Sequence, residues 1–549
     1  MNISPGTRAR RLTDKRAGKR PVWVIILLIM VIMPFYSAAQ ASEFEDGLEM
    51  LTQRSFNTKI KGLELIVASS DKRTQQVLSE LLEGRLYYLQ RSKQVVFTDE
   101  SDGDISAVDV LTQEPLAGVD KYDLKRISIN NQIRKKLKSS IAFLNVSHDD
   151  PDVREKAVYS MLDKLDSDML ASFQVLSQTE KNKKVLKAIH VALALETLRS
   201  GTPDEILTAL PALKGQLFPA IKTNLLRLHE QTDNEAVKTE ISRLLQGIES
   251  RLATCRFFET LFFGLSAGSI LVLASIGLAI TFGVIGVINM AHGELIMIGA
   301  YTAYVIQQAL PNHIGVGILI AVPAAFIVSG VVGIVIERSI IRFLYGRPLE
   351  TLLATFGLSL VLQQAVRSIF SPLNRAVSTP DWMSGSLAIN PALSLTMNRI
   401  VILVFSLLVF GALFAVMKKT SLGLQVRAVS QNRAMARAMG VKAARVDALT
   451  FGLGSGIAGV AGVALSQLTN VGPNLGQAYI IDSFMVVVFG GVGNLWGTLL
   501  AGLSLGTANK FIEPLSGAVL AKIIVLVFII LFIQKRPQGL FPQKGRAAG

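Results

Sequence analysis

Apolar positions divide this chain into two parts of different character. From residue 42 to about 255, apolar and charged residues are interleaved; from 257 to 534, long apolar runs carry few charges. In the first part the apolar residues recur at three- and four-residue intervals, the period of one helix face. Amphipathic helices are predicted at Gln75 to Leu82, Ile133 to Leu144, Val153 to Leu165, Lys184 to Leu198 and Ala236 to Ile248. Asp150-Pro151-Asp152, Thr202-Pro203-Asp204-Glu205 and Thr232-Asp233-Asn234-Glu235 read as helix starts. Each sets a capping side chain ahead of acids that favour the positive end of the helix dipole. Phe97 to Val119 lacks the helical period and reads as a small hairpin inserted among the helices. Helices of this length with short polar turns predict stacked hairpins of the HEAT-like kind.

The second part has apolar runs at about 258–283, 294–311, 315–336, 350–370, 399–417, 447–468, 479–493, 497–512 and 518–534. Most approach the roughly 20 residues of a helical span. The stretch 479–493 is short enough to be partly re-entrant. The expected fold is all-α: a polytopic helical membrane domain of eight or nine spans behind a mainly helical exported domain. Ahead of both, Arg8, Arg10, Arg11, Lys15, Arg16, Lys19 and Arg20 precede a short apolar run, Val22 to Met33, and Ala39-Gln40-Ala41. That order of parts is a secretory signal peptide, with an uncleaved signal anchor as the alternative. The predicted division is 1–41 signal peptide, 42–255 exported domain and 256–549 membrane domain.

Charge changes the picture by orienting it. Export of residue 42 onward makes the first span run inward. The clusters Arg338-Arg342-Arg347, Lys418 to Arg445 and Lys535-Arg536-Lys544-Arg546 then all fall inside, as basic loops should. Arg375 falls outside and is the exception. The net charge of +15 belongs to these loops and the N-terminus, and aromatic residues are sparse among them, which argues against nucleic-acid binding. One cysteine, Cys255, excludes an intrachain disulfide, and five scattered histidines offer no zinc motif. No metal, cofactor or catalytic set is expected, so the chain is not read as an enzyme.

Three segments carry candidate chemistry. The basic loop Lys418 to Arg445 has no acid before Asp447. If Asn432 to Val441 is helical, Ala434, Met435, Ala438 and Met439 share one face and Arg433 and Arg437 point away. Such a helix either anchors topology or docks a cytosolic partner. Phe282-Gly283 to Glu294 and Phe489-Gly490 to Thr498 each begin Phe-Gly-x-x-Gly and place an asparagine near a span end. Glycine-broken spans either make tight turns or line a permeation site. Candidate pathway residues are Asn289, His292, Glu294, Gln363, Gln364, Asp482, Ser483 and Asn494, because polar groups at membrane depth are costly. Glu294 and Asp482 are expected near span ends, facing water. Gly452 to Gly459 contains G-x-G-x-x-G inside an apolar span and is read as helix packing, not nucleotide binding. No Walker P-loop occurs, so the chain is not its own ATPase.

Gly264-Leu265-Ser266-Ala267-Gly268-Ser269, the run Ile288 to Glu294, Gly423-x-x-x-Arg427-Ala428-Val429-x-x-Asn432 with Met439-Gly440-Val441, and Phe489 to Gly497 occur in one order. Over residues 258–545 the chain resembles the permeases of branched-chain-amino-acid-type ABC importers. Its exported helical extension is similar to the urea-transport branch of that family. The resemblance implies a multi-pass permease of a bacterial inner membrane. It implies a second related permease, two ABC ATPases, a periplasmic solute-binding protein and a small-molecule cargo, urea. It makes the basic loop the coupling helix, through Gly423, Arg427, Ala428, Arg433, Ala434, Ala438 and Gly440. The Glu-Ala-Ala start of general importer loops is missing here. Branched-chain amino acids or short amides are the alternative cargo, and a channel or ion-coupled transporter is the alternative class.

Overall fold

The computed structural model describes residues 43–541, apart from 70, 102–103, 117–118, 120–122 and 166. The predicted signal peptide and the C-terminal Lys544 and Arg546 lie outside the described residues. The chain forms two compact units that divide between Leu213 and Lys214. The border expected at 255 falls inside one continuous helix, Glu235–Ile285.

The first unit opens with α1 (43–51), α2 (Phe56–Ala68) and α3 (Thr74–Glu83). An antiparallel sheet follows: β1 (Leu86–Leu89), β2 (Val95–Ser101), β3 (Asp104–Asp109), β4 (Pro115–Leu116) and β5 (Leu124–Arg126), ordered β4-β3-β2-β1-β5. The expected hairpin is the β2–β3 pair, but the sheet extends beyond it. Leu86-Tyr87-Tyr88-Leu89 is too short to show a period, yet it pairs with both Val95–Phe97 and Leu124–Arg126. Phe44, Leu51, Leu63, Ile66, Leu78 and Leu81 meet Leu86 of the sheet and Ile133 and Leu137 of α4 (Asn131–Asn145) in one core. Next come α5 (Pro151–Ser160), α6 (Ser167–Thr179), α7 (Lys183–Ser200) and α8 (Pro203–Ala209). Asp150 caps α5 by accepting from Asp152 N at 2.9 Å, and Thr202 and Glu205 form a reciprocal capping box at α8. The helix expected to reach Leu165 stops at Ser160 and finishes as a tight turn at Leu162–Lys164.

The second unit contains α9 (Pro219–Gln231), α10 (Glu235–Ile285), α11 (His292–Ala309), α12 (Ile314–Ser339), α13 (Pro348–Phe370), α14 (Met397–Lys419), α15 (Ser421–Gln431), α16 (Arg433–Ala438), α17 (Ala443–Ser466), α18 (Leu475–Gly490), α19 (Leu495–Ser516) and α20 (Ala518–Lys535). A hairpin, β6 (Ser386–Asn390) and β7 (Leu393–Thr396), precedes α14. Every expected span has its helix. Among the described residues six are long and apolar enough to cross a membrane: α10, α12, α13, α14, α17 and α20. Burial ranks them. The apolar stretches of α10 and α17 are 83% and 89% buried, against 17% to 28% for α12, α13, α14 and α20. The first two are therefore the axis of the bundle, and the other four turn Leu319, Leu353, Leu408 and Val519 outward. An apolar belt of that extent is what hydrocarbon solvates.

Glycine sets how closely the axis is packed. A Cβ on Gly454 of α17 would lie 2.6 Å from the Gly277 carbonyl of α10. One on Gly459 would meet Ala325 O and Ser329 of α12, each at 2.5 Å. The run Gly452 to Gly459 is a packing seam, as expected. Lipid offers no hydrophobic drive between helices, so such contact is a main source of association.

The loops sort into two ends. At one end Arg375 and Val471 pair backbone to backbone, Ser378 N donates to Gln307 at 3.0 Å, and Arg367 donates to Asn474 at 2.8 Å. At the other, Tyr345 of the Arg338–Arg347 segment lies under Arg433 of the loop after Lys418, and Lys418 shares a cavity with Asn494, which reaches Phe541 just past Lys535-Arg536. The basic loops thus share one end.

Candidate functional site

The polar residues of the α10–α11 break gather inside the bundle. Gly286 takes a left-handed φ of +76° and ends α10. The chain then turns back inward, and α11 starts at depth. Met290 N donates to Thr355 Oγ1 at 3.1 Å. Glu294 Oε1 accepts from Ser359 Oγ at 2.9 Å and from Gln363 Nε2 at 2.8 Å. Ser359 is the midpoint of α13, which places Glu294 roughly 16 Å from either end of that helix. Glu294 is 1% exposed, so its expected place at a wet span end is corrected. The cause is the glycine break, which lets the segment after α10 re-enter the bundle.

Three side chains of this turn keep unused polar atoms. Asn289 Oδ1 accepts from Ala291 N at 3.0 Å, and its Nδ2 has no partner among the described residues. His292, fully buried, lies 2.9 Å through Nε2 from the Ala274 carbonyl. A carbonyl only accepts, so Nε2 carries the proton and Nδ1 is left as an acceptor without a partner. Glu294 Oε2 is likewise unmatched. One amide donor, one imidazole acceptor and one carboxyl oxygen within six residues are unusual in a buried segment, where polar atoms are normally paired.

The remaining pathway candidates lie elsewhere. Gln364 is exposed on the outer side of α13. Asp482 pairs with Lys522 of α20 at 3.0 Å. Ser483 is buried in α18, with an unpartnered hydroxyl. Asn494 caps α19, accepting from Gly497 N at 3.1 Å and donating to Phe541 O at 3.3 Å. The two Phe-Gly-x-x-Gly segments do meet, Gly283 lying against the backbone of Gly493, but Asn289 and Asn494 bond to separate partners.

The basic loop folds as two short helices. On α15, Gly423, Val426 and Val429 are the buried face, and a Cβ at Gly423 would collide with Met417. Arg427 donates to the Met417 carbonyl, closing the open end of α14. Ala428 is half-buried against the same apolar cluster. These three residues hold the loop in place. On α16, Ala434, Met435 and Ala438 are exposed, as is Met439 just past its end, Met435 by 60% and Met439 by 78%. Only Ala436 reaches the cluster of Val426, Val429, Ala443 and Val446. The expected apolar face exists and points away from the protein.

The helix expected to reach Val441 ends at Ala438 because Gly440 adopts φ +87°. Val441 N bonds Ala436 O and Gly440 N bonds Arg437 O, each at 3.0 Å, the pattern of a glycine-stopped helix. Gly440 is thus a terminator. Gly440→Ala is expected to destabilise this turn by about 1 kcal/mol, while Gly440→Asn costs less. Limited proteolysis between Arg433 and Arg445 measures it.

Arg433, expected on the side opposite Ala434 and Met435, turns back toward the bundle. It is ion-paired with Asp447 of α17, and its guanidinium lies 5.0 Å from the Tyr345 ring centre. The Tyr345 hydroxyl donates to Glu337 Oε1 at 2.5 Å. Sequence reading passed over Glu337 and Tyr345 and treated Asp447 only as the end of the basic run. The available signal was a lone acid at the end of each apolar run.

A glycine-seamed axis, an outward apolar belt and a polar turn at mid-depth define a polytopic permease. The family model described as "Branched-chain amino acid transport system / permease component" matches residues 260–533. The chain is 32% identical over 297 residues to the high-affinity branched-chain amino acid transport system permease protein BraD of Pseudomonas aeruginosa, covering 95% of that protein and 52% of this chain. It is 32% identical over 299 residues to LivH of Escherichia coli K12, again covering 95% and 52%. A probable LivH of Methanocaldococcus jannaschii is 25% identical, with 88% of it covered and 50% of this chain. The chain belongs to the branched-chain amino acid ABC transport permease family. No solved structure matches it.

Proposed function

We propose that this chain is the permease subunit of an ATP-driven importer, driven by separate ATPases that dock on α16, and that its cargo is urea. The observation that carries the importer reading is the exposed face of Ala434, Met435, Ala438 and Met439 at the basic end of the bundle. Basic loops face the cytoplasm, so this end meets the ATPases. Residues 42–255 are then periplasmic, membrane passage begins near 256, and a periplasmic binding protein delivers cargo to the permease and its related partner. Urea is neutral and rich in donors and acceptors. Asn289, His292 and Glu294 match it with an amide, an imidazole nitrogen and a carboxyl oxygen, and Gln363 holds Glu294 in place. Further support comes from the extension before residue 260, which the family match leaves uncovered.

Branched-chain amino acids are the second reading, favoured by the names of BraD and LivH. Labelled urea and labelled leucine, competed against each other in cells carrying the complete importer, separate the two. Expected is urea uptake that needs ATP and resists excess leucine. Leucine uptake without urea uptake overturns the cargo alone. Uptake that survives ATP depletion sinks the importer and favours a channel or ion-coupled carrier.

A further inference from the structure

We propose that Arg433 is the positioning residue through which the docking helix moves the spans. It would act as a charged latch joining α16 to buried Asp447 of α17 and, through Tyr345, to Glu337 of α12. The inference rests on the docking reading above.

The placement of α16 does not need this network. Ala436 already anchors it in the cluster of Val426, Val429, Ala443 and Val446. What Arg433 adds is direction. Both of its terminal nitrogens face the Asp447 carboxylate, a two-pronged geometry that resists rotation as well as separation. Asp447 is fully buried and Glu337 is 1% exposed, so water competes little for either. One side chain of a six-residue helix therefore engages α17 directly and the last turn of α12 through one tyrosine.

Those two helices are a unit. α12 and α17 are seamed by Gly330, Gly333, Gly452, Gly456 and Gly459, where backbones are too close to slide independently. The pair also reaches the polar turn: Ser329 Oγ of α12 donates to the Leu295 carbonyl at 3.1 Å, beside Glu294. A pull on α16 is thus delivered to the element that carries the candidate cargo residues.

The full importer, with its ATPases and related permease, is reconstituted into liposomes. ATP hydrolysis and uptake of labelled urea and leucine are followed together. Arg433→Gln is expected to keep the ATPases bound and hydrolysing while transport per ATP falls about tenfold, within the span of ordinary coupling free energies. Tyr345→Phe keeps the ring and loses only the link to Glu337, and should uncouple partially. Arg433→Lys keeps the charge without the fork and should fall between Gln and wild type. Arg433→Gln combined with Asp447→Asn should be no worse than the Gln variant alone. Parallel loss of ATPase binding and transport, or an unchanged ratio of transport to hydrolysis, overturns the latch. If the unmodified permease holds no ATPase, the docking reading fails instead.

Discussion

Met435→Asp is expected to release the ATPases from the permease while leaving the permease folded and inserted. Met435 is 60% exposed at the centre of the one apolar face that α16 turns outward. A carboxylate buried there on docking would meet an apolar partner surface without compensation. Central interface positions of this kind cost about 2–4 kcal/mol when spoiled, or roughly 30- to 1000-fold in affinity. The fold should survive for a specific reason. Asn432 caps α16 and accepts from Met435 N at 2.9 Å, so residue 435 stands in the first turn. An acid in the first turn favours the helix dipole. Ala436→Asp is the contrasting variant, since it charges the buried anchor and should displace the whole loop. Co-purification of tagged permease with its ATPases reads the result. Undiminished recovery of ATPase with Met435→Asp would remove α16 as the docking element.

The helices named from the sequence were legible because each carries a local signal, whereas α1, α2, α6 and α9 were not singled out. Thr74–Glu83, Asn131–Asn145 and Lys183–Ser200 begin and end within two residues of the apolar period that predicts them. The spans were legible because length and hydropathy are sums over about 20 residues and tolerate local error. Sequence also located α16, whose alanines and methionines are amphipathic without help from the rest of the fold.

What sequence could not supply is depth and pairing. Glu294 looks like a span-end residue because glycines and a histidine precede it. Its burial follows from a re-entrant turn that only Thr355, Ser359 and Gln363 of α13 reveal. Asp482 looks like a pathway acid, and its partner Lys522 is distant in sequence, on another helix. Arg433 lies on the same side of α16 as the buried Ala436, but its partner Asp447 sits on another helix. In each case the deciding contact joins residues distant in the chain, and no local period encodes it.

Glu294 is where the cargo readings diverge most sharply. Glu294→Ala strips the hydroxyl of Ser359 and the amide of Gln363 of their shared acceptor and leaves a cavity between α11 and α13. Together these cost about 2–5 kcal/mol, and uptake of any cargo should be lost. Glu294→Gln is the informative change. Its side-chain oxygen still accepts from both partners, so the α11–α13 junction persists, while the carboxyl charge goes and the free Oε2 acceptor becomes an amide donor. Urea has a carbonyl acceptor as well as donors and can turn it to the new amide, so urea uptake should stay within about threefold of wild type, a difference below 1 kcal/mol. A zwitterion seated by its ammonium on Glu294 would instead lose a charge-assisted bond worth about 1.5–3 kcal/mol, or tenfold and more. Initial rates of urea and leucine uptake in matched vesicles, normalised to inserted permease, measure both. Urea uptake abolished by Glu294→Gln, with the complex still assembled, would refute a neutral cargo held at this residue.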